Sequence, residues 1–244
     1  MKLRVDGATL EIECTGPDSA PPVLMWHGAA CTLRQWDHVV AELQGQFRLI
    51  RFDVRGAGQS SPADDPGQYT FEQYARDALL ILDHFEVDQV HVWSMAWGSR
   101  AAVAFCSLHP ERVLSAALFD ASVDVADPVA QRDGRKRAGE LQQAAGIGAF
   151  SSPEGWNTHT NPPEVVQASL SAAASFDLPT AVPKLTMPVL VATGDHDPNL
   201  ASSRRIARRA PTGRLEVLEN VGHGSVLQRP DIAVRVFVAF QSEL

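Results

Sequence analysis

The chain has 244 residues, which suits one α/β domain with a modest insertion better than two independent folds. Its 29 acidic and 21 basic residues give a net charge of −8, which argues against nucleic acid as a partner. Three widely spaced cysteines, without a CxxC pair or a histidine cluster, predict neither a disulfide framework nor a metal site.

The first half of the chain predicts alternating strands and helices. An opening hairpin (LRVDG and TLEIECTG) precedes the buried strand PPVLMWHG, a helix near 33–43 and the strand FRLIRFD. No signal peptide and no membrane span is visible, so a cytoplasmic protein without a membrane partner is expected. Thr70 then caps a helix, with Gln73 at the capping-box position. The strand QVHVW, a helix from Trp97 and the strand VLSAALFD, which ends at Asp120, follow.

The alternation breaks between residues 124 and 184. This segment holds the basic run RDGRKR at 132–137, interpreted as a solvated helix face, and the helix-forming VVQASLSAAASF. PVLVATGD, a helix near 200–209, RLEVLEN and a terminal helix then restore the alternation. The pattern predicts an α/β fold with a mainly parallel eight-stranded sheet flanked by helices. We expect residues 1–123 and 185–244 to form the core, and 124–184 a small helical cap.

Reactive residue types recur where the predicted strands end. They stand in His27-Gly28-Ala29, Asp53-Val54-Arg55-Gly56, the corner Ser94 to Gly98, Asp120, Asp195-His196-Asp197 and Gly222-His223. The carboxyl ends of parallel strands meet at one edge of a sheet, so these residues are expected to lie together. The motifs HG, DVRGAGQS, SMAWG, GDHD and GH, in this order, resemble those of the α/β-hydrolase superfamily over nearly the whole chain.

The corner SMAWG decides the nucleophile position. Aligned with G-x-S-x-G, it places Ser94 at the first glycine, Ala96 at the catalytic serine and Gly98 at the closing glycine. A register with Ser94 as nucleophile would need a glycine-like residue at Val92, and a β-branched residue does not fit a strained corner. The alanine indicates either a relative that does not hydrolyse or an engineered Ser→Ala substitution. We favour the substitution, because the acid, the histidine and the loop motifs are all retained.

The resemblance also implies the partners of that nucleophile. His223 is the expected general base and Asp197 the carboxylate that orients it, while Asp195 is expected to brace the loop. Asp120, after the preceding strand, is the alternative acid position that some lipases use. No metal and no organic cofactor is implied.

The resemblance further implies an oxyanion hole formed by the backbone N–H groups of Ala29 and Trp97. The Trp97 indole is expected at the pocket floor. His27, Asp53 and Arg55 are interpreted as structural. The predicted substrate-binding side chains are Trp36, Met95, Phe150 and Trp156, with His159 as a polar contact.

The resulting hypothesis is a serine hydrolase, monomeric or homodimeric, that cleaves a small or medium carboxylic ester or lactone through an acyl-enzyme. In this chain the missing hydroxyl would leave it inactive. Alternatives are a carbon–carbon bond hydrolase with the same triad and a non-catalytic ligand-binding relative. A haloalkane dehalogenase is excluded, because it would need aspartate at position 96.

Overall fold

One eight-stranded sheet organises the computed structural model, which describes residues 1–244. Its order is β1-β2-β4-β3-β5-β6-β7-β8. The strands are β1 (Lys2–Val5), β2 (Ala8–Thr15), β3 (Pro22–Trp26), β4 (Arg48–Phe52), β5 (Val90–Met95), β6 (Val113–Phe119), β7 (Val189–Gly194) and β8 (Gly213–Leu218). The first two strands pair antiparallel, as does β2 with β4, and all other pairs are parallel. The predicted fold class is confirmed.

Helices cover both faces of the sheet. They are α1 (Asp37–Leu43), α2 (Phe71–His84), α3 (Trp97–Leu108), α4 (Pro128–Ala144), α5 (Pro163–Leu170), α6 (Leu178–Ala181), α7 (Leu200–Arg209), α8 (Ser225–Gln228) and α9 (Pro230–Gln241). Strand β3 shows the resulting alternation, because Leu24 and Trp26 belong to one apolar core and Val23 and Met25 to the other. None of the helices combines the length and the apolar character needed to cross a membrane.

The N-terminus of α2 follows its predicted cap only in part. The Thr70 hydroxyl accepts a hydrogen bond from the Gln73 N–H, as a capping residue should. The Gln73 side chain does not return to Thr70, however. It donates to Asp77 and accepts from Arg76, so the reciprocal half of the capping box is absent. The carboxylate of Asp77, which also pairs with buried Arg55, competes for that amide.

Residues 124–184 contain α4, α5 and α6 and no strand. Part of this segment belongs to the main core, where Leu178 and Val182 are buried in the apolar cluster that includes α3. Its middle contacts the loop after β3, since the Thr32 N–H donates to the Trp156 carbonyl at 2.7 Å. The segment is therefore packed directly onto the end of the sheet that carries the site.

Candidate active site

The turn between β5 and α3 holds Ala96 in a strained conformation. Its φ is 54° and its ψ is −113°, a region that non-glycine residues rarely adopt. Gly98 permits the turn, because a Cβ there would lie 2.4 Å from the His27 carbonyl oxygen. Position 96 is thus presented at the tip of a sharp strand-to-helix corner.

The two neighbouring serines are turned away from this corner. The buried Ser94 hydroxyl donates to the Ser99 hydroxyl at 3.0 Å, and Ser99 donates to the Phe119 carbonyl at 2.8 Å. Both hydroxyls are therefore used inside the fold. This geometry agrees with the register that places the nucleophile at Ala96.

Asp197 and His223 form the central polar pair. The His223 Nδ1 and the Asp197 Oδ2 are 2.9 Å apart, and the Asp197 Oδ1 accepts the Asn199 N–H at 2.9 Å. The Asp197 side chain has no exposed surface, whereas that of His223 is 13% exposed. Burial alone would lower the pKa of His223, but its hydrogen bond to Asp197 and the nearby carboxylates raise the pKa above its usual value. The pair is suited to holding a proton on the imidazole.

Asp120 lies next to this pair but binds backbone instead of the imidazole. Its Oδ2 accepts the N–H groups of Gly224 at 3.0 Å and Ser225 at 2.7 Å. Its Oδ1 is buried without a partner. Burial, reinforced by the charge of Asp197, raises the pKa of Asp120 to about 7. Asp120 thus anchors the loop of His223, while Asp197 orients its ring.

Asp120 also links the histidine loop to the corner. The Ala96 N–H donates to the Phe119 carbonyl at 2.8 Å, and Asp120 is the next residue of the chain. Ala96 and His223 are therefore carried by neighbouring loops at one edge of the sheet.

The side chains of Asp120, Asp197 and His223 are also close enough to one another to bind a shared cation. Donor atoms of Asp120, Asp197 and His223 lie within 4.8 Å of one another. However, the His223 Nδ1, both oxygens of Asp197 and the Oδ2 of Asp120 are already used in hydrogen bonds within the chain. We therefore interpret the cluster as a hydrogen-bonded acid–base site.

Two backbone N–H groups near the corner have no partner inside the chain. One belongs to Trp97, the first residue of α3, and the other to Ala29 in the loop after β3. A hydrogen bond stabilises the loop of Ala29, since the Gln35 side chain accepts the Gly28 N–H at 2.9 Å. These groups have the donor chemistry that an oxyanion hole requires.

The residues interpreted as structural do hold this edge of the sheet together. The His27 Nε2 accepts the Val54 N–H at 3.1 Å, and burial lowers the pKa of His27, which keeps the ring neutral. Asp53 accepts the N–H groups of Leu33 and Gln59. Arg55 is fully buried and pairs with Asp77.

A cavity of about 630 Å³ lies between α4 and the histidine loop. Phe150 and Trp156, both predicted to bind substrate, line it. The lining also includes Gly224, the residue after His223, whereas Ala96, Asp197 and His223 themselves do not line it.

Three other residues predicted at the pocket, Trp36, Met95 and Trp97, are buried in the structure. Trp36 has no exposed surface and packs against Trp93, with ring centroids 5.2 Å apart. Met95 is 3% exposed and fills the space beside Gly28. The Trp97 indole is also a core group, since its Nε1 donates to the Leu170 carbonyl at 3.1 Å. Packing of flanking helices and loops covers all three.

His159, predicted as a polar contact for substrate, lies between two backbone groups. Its Nδ1 accepts the Gly58 N–H at 2.8 Å, and its Nε2 bonds to the Ala30 carbonyl at 3.1 Å. Both ring nitrogens are therefore used by backbone groups. His159 ties the segment 124–184 to the loops after β3 and β4.

The sequence interpretation missed the contact of α4 with the loops of Asp197 and His223. A Cβ at Gly134 would lie 1.9 Å from the His196 carbonyl oxygen, and a Cβ at Gly222 would lie 2.4 Å from the Arg135 Cα. The helix backbone therefore touches the loops of both Asp197 and His223. A glycine inside the basic run RDGRKR was the available signal, because glycine in a helix often marks such a close approach. The exposure of Arg132 and Arg137 does agree with a solvated face.

Comparison with known proteins identifies relatives over the whole chain. The sequence is 22% identical over 263 residues to 3-oxoadipate enol-lactonase 1 of Acinetobacter baylyi, covering 96% of this chain and 93% of the relative. It is 28% identical over 268 residues to rhodomycin D methylesterase DauP of a Streptomyces species, covering 89% and 90%. The crystal structure of an enol-lactonase from Burkholderia xenovorans matches with a TM-score of 0.82 and 24% identity, covering 99% of this chain and 100% of that one.

The family model of the alpha/beta hydrolase fold matches residues 21–157, more than half of the chain. This region includes the strands β3 to β6 and the corner at Ala96. The remaining motifs, with Asp197 and His223, follow in the order that the sequence resemblance predicted. The chain belongs to the alpha/beta hydrolase fold family.

Proposed function

We propose that this protein, with serine at position 96, hydrolyses a small or medium carboxylic ester or lactone through an acyl-enzyme. The observation that carries this proposal is the hydrogen-bonded pair of His223 and Asp197 beside a strained corner at Ala96. The relatives named as an enol-lactonase and a methylesterase support the hydrolase class and a small-molecule substrate.

The chemistry begins with a hydroxyl at position 96. His223 accepts its proton as the oxygen attacks the scissile carbonyl, and Asp197 stabilises the imidazolium that results. The N–H groups of Ala29 and Trp97 stabilise the oxyanion. Collapse releases the alcohol, which takes the proton from His223, and leaves an acyl ester on residue 96. Water, deprotonated by His223, then attacks that ester; the bond to residue 96 breaks, the acid is freed, and His223 returns the proton to the hydroxyl oxygen of residue 96.

We further propose that Ala96 replaces a catalytic serine. The alanine methyl group cannot attack a carbonyl, so the chain as it stands is inactive by this route. The groups that would serve the hydroxyl nevertheless remain in place, because Asp197 still bonds to His223 and the two N–H groups are unpartnered. Such a chain retains the means to bind an intact substrate.

Residues 124–184 are proposed to act as the cap of this site. Helix α4 contacts the loops of the acid and the histidine, and the cavity of about 630 Å³ lies beneath it. A cavity of this size suits a small or medium ligand.

The test is the variant Ala96→Ser. Loss of a triad nucleophile lowers turnover by about 10⁶-fold in a well-studied serine hydrolase, so restoring it should raise hydrolysis of activated esters by several orders of magnitude. A fluorophosphonate should label residue 96, as seen by peptide mass spectrometry. The control, Ala96→Ser with His223→Gln, keeps the hydroxyl but should lose both labelling and turnover.

A folded Ala96→Ser protein that stays unlabelled and inert on a broad ester and lactone panel would overturn the proposal. Cleavage of carbon–carbon substrates without any ester or lactone cleavage would favour the alternative hydrolase. A crystal structure of this chain with a tight ligand offers a second check. A ligand carbonyl facing the N–H groups of Ala29 and Trp97 supports hydrolysis, whereas a ligand with no electrophilic carbon near Ala96 indicates a binding protein.

A further inference from the structure

Arg135 is the only charged residue that lines the cavity beside the site. It is exposed, and its guanidinium forms no ion pair or hydrogen bond within the chain. Two other arginines of α4 do have partners, since Arg132 lies 3.5 Å from Asp133 and Arg137 lies 3.6 Å from Glu140. The cavity thus contains one uncompensated positive charge.

Backbone packing holds Arg135 at this position. Gly222 leaves no room for a side chain, because its Cβ would lie 2.4 Å from the Arg135 Cα. From α8, which follows that loop, the Gln228 Nε2 donates to the Arg135 carbonyl at 2.9 Å. The residue is therefore fixed against the loop that carries His223, although its side chain is free.

The charge of Arg135 influences two titratable groups near the site. Burial raises the pKa of the Cys31 thiol to about 12, and the charge of Arg135 opposes this rise. Cys31 lies in the loop of Ala29. Burial and, to a smaller extent, the charge of Arg135 act to lower the pKa of His223, but the carboxylates of Asp197 and Asp120 together raise it. Its position is given by packing, since the Arg135 backbone lies against Gly222, the residue before His223, and Arg135 lines the cavity.

Of the uncharged polar side chains that line the cavity, those of Gln142 and Gln228 are already bonded within the chain, whereas those of Gln143 and Ser152 are not. The Gln142 side chain donates to the Asn220 carbonyl, and the Gln228 Oε1 accepts the Gly222 N–H. The N–H groups of Gly224 and Ser225 bind Asp120. A single free guanidinium matches the planar, singly charged carboxylate, which it can bind through two parallel hydrogen bonds.

We propose that Arg135 binds a carboxylate of the substrate, so that the preferred ester or lactone carries a free acid group away from its scissile carbonyl. This assignment deepens the proposed hydrolase function and rests on it. The acid group would lie in the cavity beneath α4, and the scissile carbonyl would lie at the corner of Ala96.

The turnover experiment compares two esters with one leaving group in the Ala96→Ser protein. They are 4-nitrophenyl butyrate and the 4-nitrophenyl monoester of glutaric acid, which differ by a terminal carboxylate. Arg135→Gln should lower the ratio of kcat/KM for the acid ester to that for the neutral ester by about tenfold, which corresponds to about 1.4 kcal/mol. Arg137→Gln removes the same charge from α4 outside the cavity and should leave the ratio within about twofold.

If the ratio of the two kcat/KM values falls equally in Arg135→Gln and Arg137→Gln, or falls in neither variant, the carboxylate assignment is overturned. Since it compares two esters in one protein, the ratio is insensitive to the fraction of active enzyme. Turnover of the neutral ester without any preference for the acid ester leaves the proposed function intact and rejects only this inference.

A binding experiment covers the case in which Ala96→Ser is inert. Calorimetry with this chain, which carries Ala96, and monomethyl glutarate should give a Kd about tenfold higher after Arg135→Gln. Arg137→Gln should leave that Kd unchanged. Equal affinities for the parent chain and Arg135→Gln overturn the inference whatever the outcome for turnover. Tighter binding of a phosphonate analogue than of the carboxylate would also overturn it.

Discussion

Substituting Asp120 by asparagine should make the free energy of unfolding less sensitive to rising pH. The carboxylate is fully buried, one of its oxygens has no partner, and Asp197 lies nearby. These surroundings oppose ionisation and raise the pKa of Asp120 to about 7 from an ordinary value of 3.8. The amide of the variant cannot ionise, and its carbonyl oxygen can still accept the N–H groups of Gly224 and Ser225.

The sign follows from where the proton is held. Between pH 3.8 and about 7 the folded protein retains a proton on Asp120 that the unfolded chain releases. The free energy of unfolding therefore falls as pH rises through this interval and levels off above it. The full difference between the two pKa values corresponds to about 4 kcal/mol, of which about 2–3 kcal/mol is lost between about pH 5 and about pH 8.

Urea unfolding followed by tryptophan fluorescence measures this effect. The unfolding free energy of Asp120→Asn minus that of the parent should rise by about 2–3 kcal/mol between about pH 5 and about pH 8. Burying an amide nitrogen where Oδ1 lies has a cost that is independent of pH and cancels in this comparison. Asp88→Asn, at an exposed carboxylate, is the control and should follow the parent. Parallel curves for Asp120→Asn and the parent would refute the reasoning.

Two further predictions concern the acid and the corner. In the Ala96→Ser protein, Asp197→Asn should lower kcat by about 10⁴-fold, because the imidazole loses the partner that fixes its tautomer. Asp120→Asn should reduce kcat far less, and the reverse order in steady-state assays would move the catalytic carboxylate to β6. Gly98→Ala should lower the urea-derived unfolding free energy by about 1–3 kcal/mol, since its Cβ would lie 2.4 Å from a backbone oxygen. Gly139→Ala in α4, where a Cβ meets nothing within 4 Å, should raise the unfolding free energy by up to about 1 kcal/mol. Equal losses of unfolding free energy in the two variants would contradict this packing argument.

The amino-acid sequence was sufficient to predict the fold and the order of the site motifs. Strand and helix periods, the glycine-rich corner and the residues after each strand depend on steric rules that act over a few residues. These rules placed Ala96 at a corner between β5 and α3 and His223 after β8, where the structure has them. They also brought Asp197 to the same edge, because parallel strands end together.

Only the tertiary structure decided which side chains face the cavity. Trp36 and Trp156 are equally aromatic in the sequence, yet Trp36 is covered by packing against Trp93 and Trp156 lines the cavity. His159 bonds to Gly58 and Ala30, residues 101 and 129 positions away in the chain. Contacts over such separations depend on how whole segments dock, which local patterns do not encode. The same docking gives Asp120 its two backbone partners and brings Arg135 against the histidine loop.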